Sequence, residues 1–241
     1  MKLQMVGTGS ISASERSACC LINEHILVDC GNGIVKTLQQ QNVDVYSIDT
    51  LLITHNHGDH MLDVPFLILI RSFIQVKNEL KIYCPRGFKK VIYDLVNLVY
   101  NDIINEWDSM VEKARVTFVE FEELNVEDNY LIKSVLVDHG ETKPCYGYIV
   151  SKDGKTIGIS GDSTLCEGVE KLIQESDVSV LDCSFLSTGK SHMGLDTIVK
   201  LAQKYHKNII PTHMNTEVRE EALSLDLEEL CVLSDGMFIE I

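Results

Sequence analysis

The amino-acid sequence predicts an α+β protein in which helices cover the outer faces of two mixed β-sheets. Segments rich in β-branched and aromatic residues, which are typical of strands, outnumber helical segments in the first half of the chain. Strand-like and helical segments then alternate in the second half. With 241 residues, 45% of them hydrophobic, the chain is long enough to bury this pattern. We therefore expect a single domain spanning residues 1–241.

In the first half, CCLINEHILVDCG predicts two short strands joined by a turn at Asn23 and Glu24. GIVKTLQQQ predicts a helix, DTLLIT a buried strand and DVPFLILIRSFIQ a second helix. KIYC predicts a strand, and GFKKVIYDLVNLVYN predicts a helix because its apolar residues recur every three or four positions. The acidic segment 120–130 overlaps a strand-like run and is interpreted as a solvated loop.

The rest of the chain continues the pattern with short, mostly β-branched runs separated by two helical segments. We expect strands at 116–121, 131–138, 146–150, 156–160, 178–182 and 208–212, and helices at 165–175 and 194–205. Two mixed sheets with helices outside them would bury this set of elements.

The charge balance restricts the class of substrate. Thirty-six acidic residues against 21 basic ones give a net charge of −15. A general nucleic-acid-binding protein needs a basic surface, so this balance disfavours a large polyanionic substrate. Bound divalent metal would reverse the sign of the local field, and RNA therefore remains an open alternative.

The sequence is typical of a cytoplasmic protein without a membrane partner. The first residues reach Gly7 and Ser10 too early for a signal-peptide core, and the longest apolar run, VPFLILI, is far shorter than a membrane span. The eight cysteines form no C-x-x-C pair, so we interpret most of them as reduced core residues. We also expect the chain to form a homodimer.

The stretch THNHGDH is the strongest functional signal in the chain. It places three histidines and an aspartate in seven residues, directly after the apolar run LLI. His55 and His57 are two apart and can reach one point, whereas Asp59 and His60 follow at a second turn position. Imidazole and carboxylate groups are ligands of zinc and similar ions. This spacing suits two adjacent metal ions better than one.

Two metal ions need further ligands, and three candidates follow strand-like runs elsewhere in the chain. They are His139 in VLVDHG, Asp162 in GISGDS and His213 in IIPTHM. Taken singly, each has an ordinary interpretation, as a surface loop histidine or as the N-cap of a following helix. Together with residues 55–60 they complete a seven-ligand set in which one carboxylate can bridge two metal ions.

The order of these residues resembles the metallo-β-lactamase superfamily and its H-x-H-x-D-H signature. The resemblance covers nearly the whole chain and implies an αββα sandwich with the metal site along the sheet edges. It also implies that Asp162 bridges two ions and that Asp29, in LVDCG, supports the site from behind the ligands. The implied ligands are His55, His57 and His139 for one metal, and Asp59, His60 and His213 for the other.

Finer features resemble ribonuclease Z and related phosphodiesterases. GTGS followed by Arg16 and Ser17 is similar to their GTG…R opening, and HGETKPCYGYIV is similar to their histidine before a Tyr-Gly-Tyr strand. LDCSF corresponds to their HEATF segment, with Leu181 in place of His and Asp182 in place of Glu. Members that process tRNA often carry a long arm for it, and nothing in this chain resembles that arm.

The resemblance implies a mechanism that uses two metal ions. Such a pair clamps a phosphoryl group and lowers the pKa of a shared water, so that hydroxide attacks phosphorus. Asp59 would orient that water or take its proton. His192, in SHMGLDTIVKLA, would protonate the leaving oxygen and be oriented by Asp182. A surface position beside a helix start is the alternative interpretation of His192.

We therefore expect a metal-dependent hydrolase that cleaves phosphodiester bonds, with a small or cyclic diester favoured. The expected cofactor is two divalent metal ions, zinc first, with manganese or iron as alternatives because His and carboxylate ligands suit several metals. A tRNA 3′-processing endoribonuclease of the ribonuclease Z type is one alternative function. Hydrolysis of a lactone or thioester is another, and a non-catalytic metal-containing binding module is a third.

Overall fold

Two β-sheets pack face to face in the computed structural model, which describes residues 1–74 and 76–241. Helices cover the outer face of each sheet, so the predicted αββα sandwich is confirmed. The assignment of residues 1–241 to one domain stays a prediction.

The first sheet contains seven strands among the described residues. Their order across the sheet is β13-β1-β2-β3-β4-β5-β6. Pairing is antiparallel from β13 to β3 and parallel from β3 to β6. The strands are β1 (Lys2–Gly7), β2 (Cys19–Ile22), β3 (Ile26–Val28), β4 (Thr50–Leu52), β5 (Leu80–Pro85), β6 (Val116–Phe121) and β13 (Phe238–Glu240).

The second sheet contains six strands among the described residues, in the order β12-β11-β10-β9-β8-β7. The pairs β10–β11 and β11–β12 are parallel, and the remaining pairs are antiparallel. The strands are β7 (Asn125–Glu127), β8 (Leu131–His139), β9 (Thr142–Lys152), β10 (Lys155–Ile159), β11 (Val178–Asp182) and β12 (Asn208–Thr212).

The helices lie in the connections between strands and are short. They are α1 (Ile34–Gln40), α2 (Gly58–Met61), α3 (Val64–Ser72), α4 (Phe88–Val99), a 3-10 helix (Ile104–Glu106), α5 (Trp107–Lys113), α6 (Glu167–Glu175), α7 (Leu195–Tyr205) and α8 (Thr216–Ser224). No helix among the described residues has the length and apolar character needed to cross a lipid bilayer.

Three layers of apolar side chains hold the sandwich together. The middle layer joins the inner faces of the two sheets and includes Met5 and Leu52 from the first sheet and Tyr148 and Val180 from the second. A second layer lies between the first sheet and helices α1, α3 and α4, and a third between the second sheet and helices α6, α7 and α8. Burial on both faces explains why the strands carry nearly continuous apolar runs.

Most predicted elements are confirmed, three of them need correction, and β1, α5, α8 and β13 were not predicted. The helix predicted over DVPFLILIRSFIQ ends at Ser72, and its last residue, Gln75, lies outside the described residues. The interpretation of 120–130 as a solvated loop is wrong, because β7 lies there and Leu124 and Tyr130 are buried. The predicted helix at 165–175 begins later, at Glu167.

Candidate metal centre

The candidate ligands meet at one edge of the sandwich because each follows the end of a strand. β4 leads into the loop that carries His55 and His57, and helix α2 follows with Asp59 and His60. Strands β8, β10 and β12 end at or just before the other three: His139, Asp162 and His213. The carboxyl ends of these strands therefore place residues from four distant parts of the sequence side by side.

His55, His57 and His139 form the first group together with Asp162. One potential ligand atom from each of the four lies within 4.8 Å of the others. His139 Nε2 is 3.3 Å from His57 Nδ1, and the His55 ring lies 4.6 Å from that of His57 between centroids. Such spacing allows one ion to contact all four groups.

Asp59, His60 and His213 form the second group, again with one potential ligand atom each within 4.8 Å of the others. His213 Nε2 is 3.2 Å from Asp59 Oδ2, and His60 Nε2 is 3.7 Å from the same oxygen. All three residues are buried.

Asp162 lies between the two groups. Its Oδ1 is 3.3 Å from His60 Nε2, and its Oδ2 is 3.5 Å from His213 Nε2 and 3.9 Å from the Nε2 atoms of both His55 and His139. One carboxylate thus faces histidines of both groups, which is the arrangement a bridging ligand requires.

Each candidate histidine has one ring nitrogen held in a hydrogen bond away from the centre. Asp29 lies 2.8 Å from Nδ1 of His60 and also accepts hydrogen bonds from the backbone N–H and hydroxyl of Thr54. The other four contacts are Thr54 Oγ1 with His55 Nδ1, Thr142 Oγ1 with His57 Nε2, the Ser191 carbonyl with His139 Nδ1, and Ser184 Oγ with His213 Nδ1. Contacts of this kind fix ring orientation and tautomer in metal sites.

Three buried polar atoms at the centre have no hydrogen-bond partner among the described residues. They are Nε2 of His55, Nε2 of His60 and Oδ1 of Asp162. Burial of an unpaired nitrogen lone pair or carboxylate oxygen is costly, and native proteins rarely leave such atoms unsatisfied. Three of them in one cluster fit bound cations, since metal ions held by the two groups would satisfy all three.

The electrostatic environment keeps the carboxylates ionised. Burial would raise the pKa of Asp59, but its hydrogen bond with His213 and the nearby charge of His60 lower it to about 2. Burial would likewise raise the pKa of Asp162, yet the charges of His213 and His60 hold it well below its ordinary value. Burial would lower the pKa of His60, whereas Asp162 and Asp29 raise it well above its usual range. The centre therefore pairs anionic oxygens with positive charge.

His192 lies beside the centre and is paired with Asp182, which is fully buried. Its Nδ1 is 2.8 Å from Asp182 Oδ2, and its ring stacks on His213 with centroids 5.4 Å apart and an interplanar angle of 8°. Burial would lower the pKa of His192, but the hydrogen bond with Asp182 raises it. This geometry disfavours the alternative interpretation of His192 as a surface residue beside a helix start.

An open cleft of about 660 Å³ reaches the centre. Its walls include candidate ligands from both groups and His192. The other lining side chains differ in chemistry: Ile11 is apolar, Glu141 and Lys190 are charged, and Thr142 is polar. A small substrate can enter here and contact the candidate ligands and His192 together.

Sequence reasoning missed the hydroxyl groups behind the ligands. Thr54 lies within THNHGDH and Ser184 within LDCSF, so both were inside motifs already singled out. Their hydrogen bonds join residues that are far apart in the chain, such as Ser184 and His213. Ser184 and His213 meet because they follow β11 and β12, which are adjacent parallel strands.

The fold and this ligand cluster define a metallo-β-lactamase-fold protein of the ribonuclease Z-like branch, as the sequence resemblance implied. The model of one family, the anti-Pycsar protein Apyc1 family, matches residues 1–231. The chain belongs to that family.

Curated relatives include two ribonuclease Z proteins. That of Halalkalibacterium halodurans is 27% identical over 180 residues, covering 70% of this chain and 55% of the relative. That of Methanocaldococcus jannaschii is 31% identical over 156 residues, covering 62% of this chain and 47% of the relative. The matched regions thus span about half the length of these relatives.

Solved structures show the same fold over the whole chain. The short form of human tRNase Z superposes with a TM-score of 0.74 at 21% identity, covering 100% of this chain and 99% of the other. A diphosphatase from the PhnP family gives a TM-score of 0.75 at 20% identity, covering 100% and 97%. Zinc-bound PqqB from Methylobacterium extorquens gives 0.70 at 14% identity, covering 100% of both chains.

Proposed function

We propose that this protein is a dinuclear metal-dependent hydrolase that cleaves a small phosphodiester, a cyclic one being favoured. The observation that carries the proposal is the pair of ligand groups facing one shared carboxylate, Asp162, at the base of an open cleft. The activities named for its relatives, ribonuclease Z and a PhnP-family diphosphatase, support a phosphate-ester substrate.

The proposed cofactor is two divalent ions, zinc first, with manganese or iron as alternatives. The proposed ligands are His55, His57 and His139 for one ion, and Asp59, His60 and His213 for the other, with Asp162 shared. When bound, the ions would polarise the phosphoryl group and lower the pKa of a water molecule between them. Zinc is favoured because imidazole and carboxylate oxygen are its common ligands, and one structural neighbour, PqqB, is zinc-bound.

The chain's own residues then supply positioning and proton transfer. Asp59 lines the cleft and has a low pKa, so its carboxylate is ionised and able to orient the attacking water. His192 uses Nδ1 to bind Asp182 and leaves Nε2 for the leaving oxygen. Asp182 keeps the ring in that orientation and favours its protonated form.

The short connection beside the site and the negative net charge favour a small substrate over tRNA. The connection between Tyr148 and Asp162 is a tight hairpin whose turn is Asp153–Gly154, both with positive φ, and it carries no added arm. The net charge of −15 also opposes binding of a long polyanion. Processing of a tRNA 3′ end and hydrolysis of a lactone or thioester are the competing outcomes.

Two measurements test the proposal. Purified protein should carry about two transition-metal ions per chain, as a two-metal site requires. His57→Ala should lower that number and abolish turnover, because it removes a ligand of the first ion. Full metal occupancy with normal activity in this variant would contradict the ligand set.

A substrate panel then identifies the reaction class. It contains bis-p-nitrophenyl phosphate, cyclic nucleotides, a homoserine lactone and a glutathione thioester. Turnover confined to the phosphodiesters supports the proposal. Faster turnover of the lactone or thioester would contradict it, and a metal-loaded protein inactive on all four would favour a binding module.

We further propose that the protein is cytoplasmic, forms a homodimer and acts in the anti-Pycsar role that its family's name states. The cytoplasmic assignment is supported by eight free cysteines, six of them buried.

The homodimer is supported by exposed apolar side chains along and beside α3, among them Phe66 and Phe73. Light scattering at micromolar concentration should give twice the chain mass of 27.1 kDa. A monomer would contradict the homodimer.

A further inference from the structure

Ser184 contacts two histidines of the site, His192 and the proposed metal ligand His213. It follows strand β11, and its side chain is almost fully buried. Its Oγ is 2.6 Å from Asp182 Oδ1, 2.8 Å from His213 Nδ1 and 3.1 Å from His192 Nδ1. One hydroxyl therefore lies between the carboxylate that holds His192 and a proposed metal ligand.

The direction of these hydrogen bonds follows from the number of protons available. A serine hydroxyl has one proton to donate and two lone pairs to accept with. The Asp182 carboxylate can only accept, so Ser184 donates its proton to Asp182 Oδ1. Oγ is then left as an acceptor, and the contact with His213 must be a hydrogen bond donated by Nδ1–H of that ring.

The tautomer of His213 is set by this contact. With Nδ1–H donated to Ser184, Nε2 is the nitrogen that can exchange its proton for a metal ion; it lies 3.2 Å from Asp59, its hydrogen-bond partner, and 3.5 Å from Asp162. A neutral ring protonated on Nε2 instead would have no lone pair there for a metal ion. A histidine ring binds a metal ion only through a nitrogen lone pair. The tautomer therefore decides whether Nε2 of His213 can be a ligand.

We propose that Ser184 is a positioning residue for the second metal ion: it relays the negative charge of Asp182 to His213 and so holds that ring as an Nδ1–H, Nε2-binding ligand. The inference rests on the proposed metal site. It adds that the His192–Asp182 pair and the metal ligand His213 share one hydrogen-bonded support. The site therefore depends on a hydroxyl that contacts neither the substrate nor the metal.

The chain offers a matched control for removal of this hydroxyl. Ser179 lies on β11, the strand that leads to Ser184; it is fully buried, and its Oγ has no hydrogen-bond partner among the described residues. Ser179→Ala thus removes a buried serine hydroxyl nearby in the chain without touching the site. Ser184→Thr keeps the hydroxyl and serves as the conservative variant.

The experiment is a zinc titration against a chromophoric chelator on the metal-stripped full-length protein. Ser184→Ala should weaken one of two zinc-binding steps by about 10- to 100-fold, the usual cost of losing a contact behind a metal ligand. Ser179→Ala and Ser184→Thr should match the wild type in both steps. Wild-type affinity in Ser184→Ala, or an equal loss in Ser179→Ala, would overturn the inference while leaving the proposed function intact.

A double-mutant comparison assigns the effect to His213. His213→Ala should remove the same binding step, and adding Ser184→Ala to it should cost nothing more, because the ligand that Ser184 positions is gone. A further loss in the double variant would show that Ser184 acts elsewhere and would overturn the inference. A wild-type protein that binds neither zinc nor manganese nor iron would overturn the proposed function and this inference together.

Discussion

His192 uses one ring nitrogen for Asp182 and keeps the other free of hydrogen-bond partners among the described residues. Nδ1 is 2.8 Å from a fully buried carboxylate, which fixes the ring in one orientation, and the stacked His213 ring limits its rotation. The residue also lines the open cleft. This arrangement would allow His192 to act as the proposed proton donor.

The importance of that donor should depend on the leaving group. An alkyl or ribose alkoxide needs a proton, whereas p-nitrophenolate is stable without one. His192→Ala should therefore lose about 100- to 10,000-fold in kcat on an alkyl or ribose diester, the range typical of general acid catalysis, and much less on a nitrophenyl diester. Steady-state rates on the two substrates measure the contrast.

Metal content is the control for this variant, because His192 is outside the proposed ligand set. It should equal that of the wild type by elemental analysis. Equal losses of rate on both diesters, or loss of metal, would show that His192 has a different role.

At the level of residues, the sequence singled out the candidate ligands, which the structure brings together, but not the residues that hydrogen-bond to them. THNHGDH concentrates rare histidines in a pattern that only metal binding explains well, so His55 and His60 could be singled out without a structure. Ser184 and Thr142 could not, because serine and threonine are common and their roles depend on contacts across the fold. Asp29 was found only through the family resemblance.

Helix α2 is held against the loop after β3 by close backbone contact. The Cys30 N–H donates to the carbonyl of His60 at 2.8 Å, and a Cβ placed on Gly31 would lie 1.8 Å from the carbonyl oxygen of Asp59. Real Cβ atoms do not approach so closely, so any larger residue at position 31 must displace the backbone that carries two proposed ligands.

Gly31→Ala should therefore lower turnover by at least about 100-fold, the cost of misplacing catalytic groups by roughly an ångström. Elemental analysis of the folded variant should show reduced metal content. Gly189→Ala is the control, because the nearest atom to its Cβ is 4.0 Å away. Normal turnover in Gly31→Ala would contradict the close-contact argument.

A buried arginine connects helix α3 to the neighbouring segments by hydrogen bonds. Arg71 is fully buried and donates hydrogen bonds to four backbone carbonyls, those of Tyr46, Ile48, Asn78 and Ala114. These carbonyls belong to the segments that lead into β4 and β5 and to the residue that follows α5. One side chain thus ties three connections of the outer layer together.

Arg71→Met should lower the free energy of unfolding by about 3 kcal/mol, because it leaves several buried carbonyls without a donor. Arg86→Met is the matched control. Its guanidinium is exposed and pairs with an exposed Glu122, so its loss should cost less than about 0.5 kcal/mol. Urea unfolding of both variants measures the difference. Equal free energies of unfolding would show that the hydrogen bonds of Arg71 do not stabilise the fold.

Elements with local signals were predictable, and those defined by distant pairing were not. The hairpin of β2 and β3 and the periodic helix α4 follow from their own residues. β1 was missed because its strand character depends on pairing with β2 and with β13 at the other end of the chain. β7 was missed because it has only three residues and lies in an acidic segment, so its strand character depends on pairing with β8.

On the scale of the whole molecule, shape and charge both favour a small substrate. The open cleft lined by several of the candidate ligands is about 660 Å³, a size suited to a small molecule. The described residues contain no arm beside it, and the chain carries a net charge of −15. The sequence predicted this preference from the short connection between Tyr148 and Asp162, and the structure shows that connection as a hairpin.

The most direct test is a comparison of kcat/KM for a cyclic nucleotide and for a precursor tRNA, using the same metal-loaded preparation. His57→Ala serves as the control, because activity that survives loss of a proposed ligand comes from a contaminant. The account predicts efficient hydrolysis of the cyclic phosphodiester and slower or undetectable removal of the tRNA 3′ trailer. Faster trimming of the tRNA than of any small diester would contradict it.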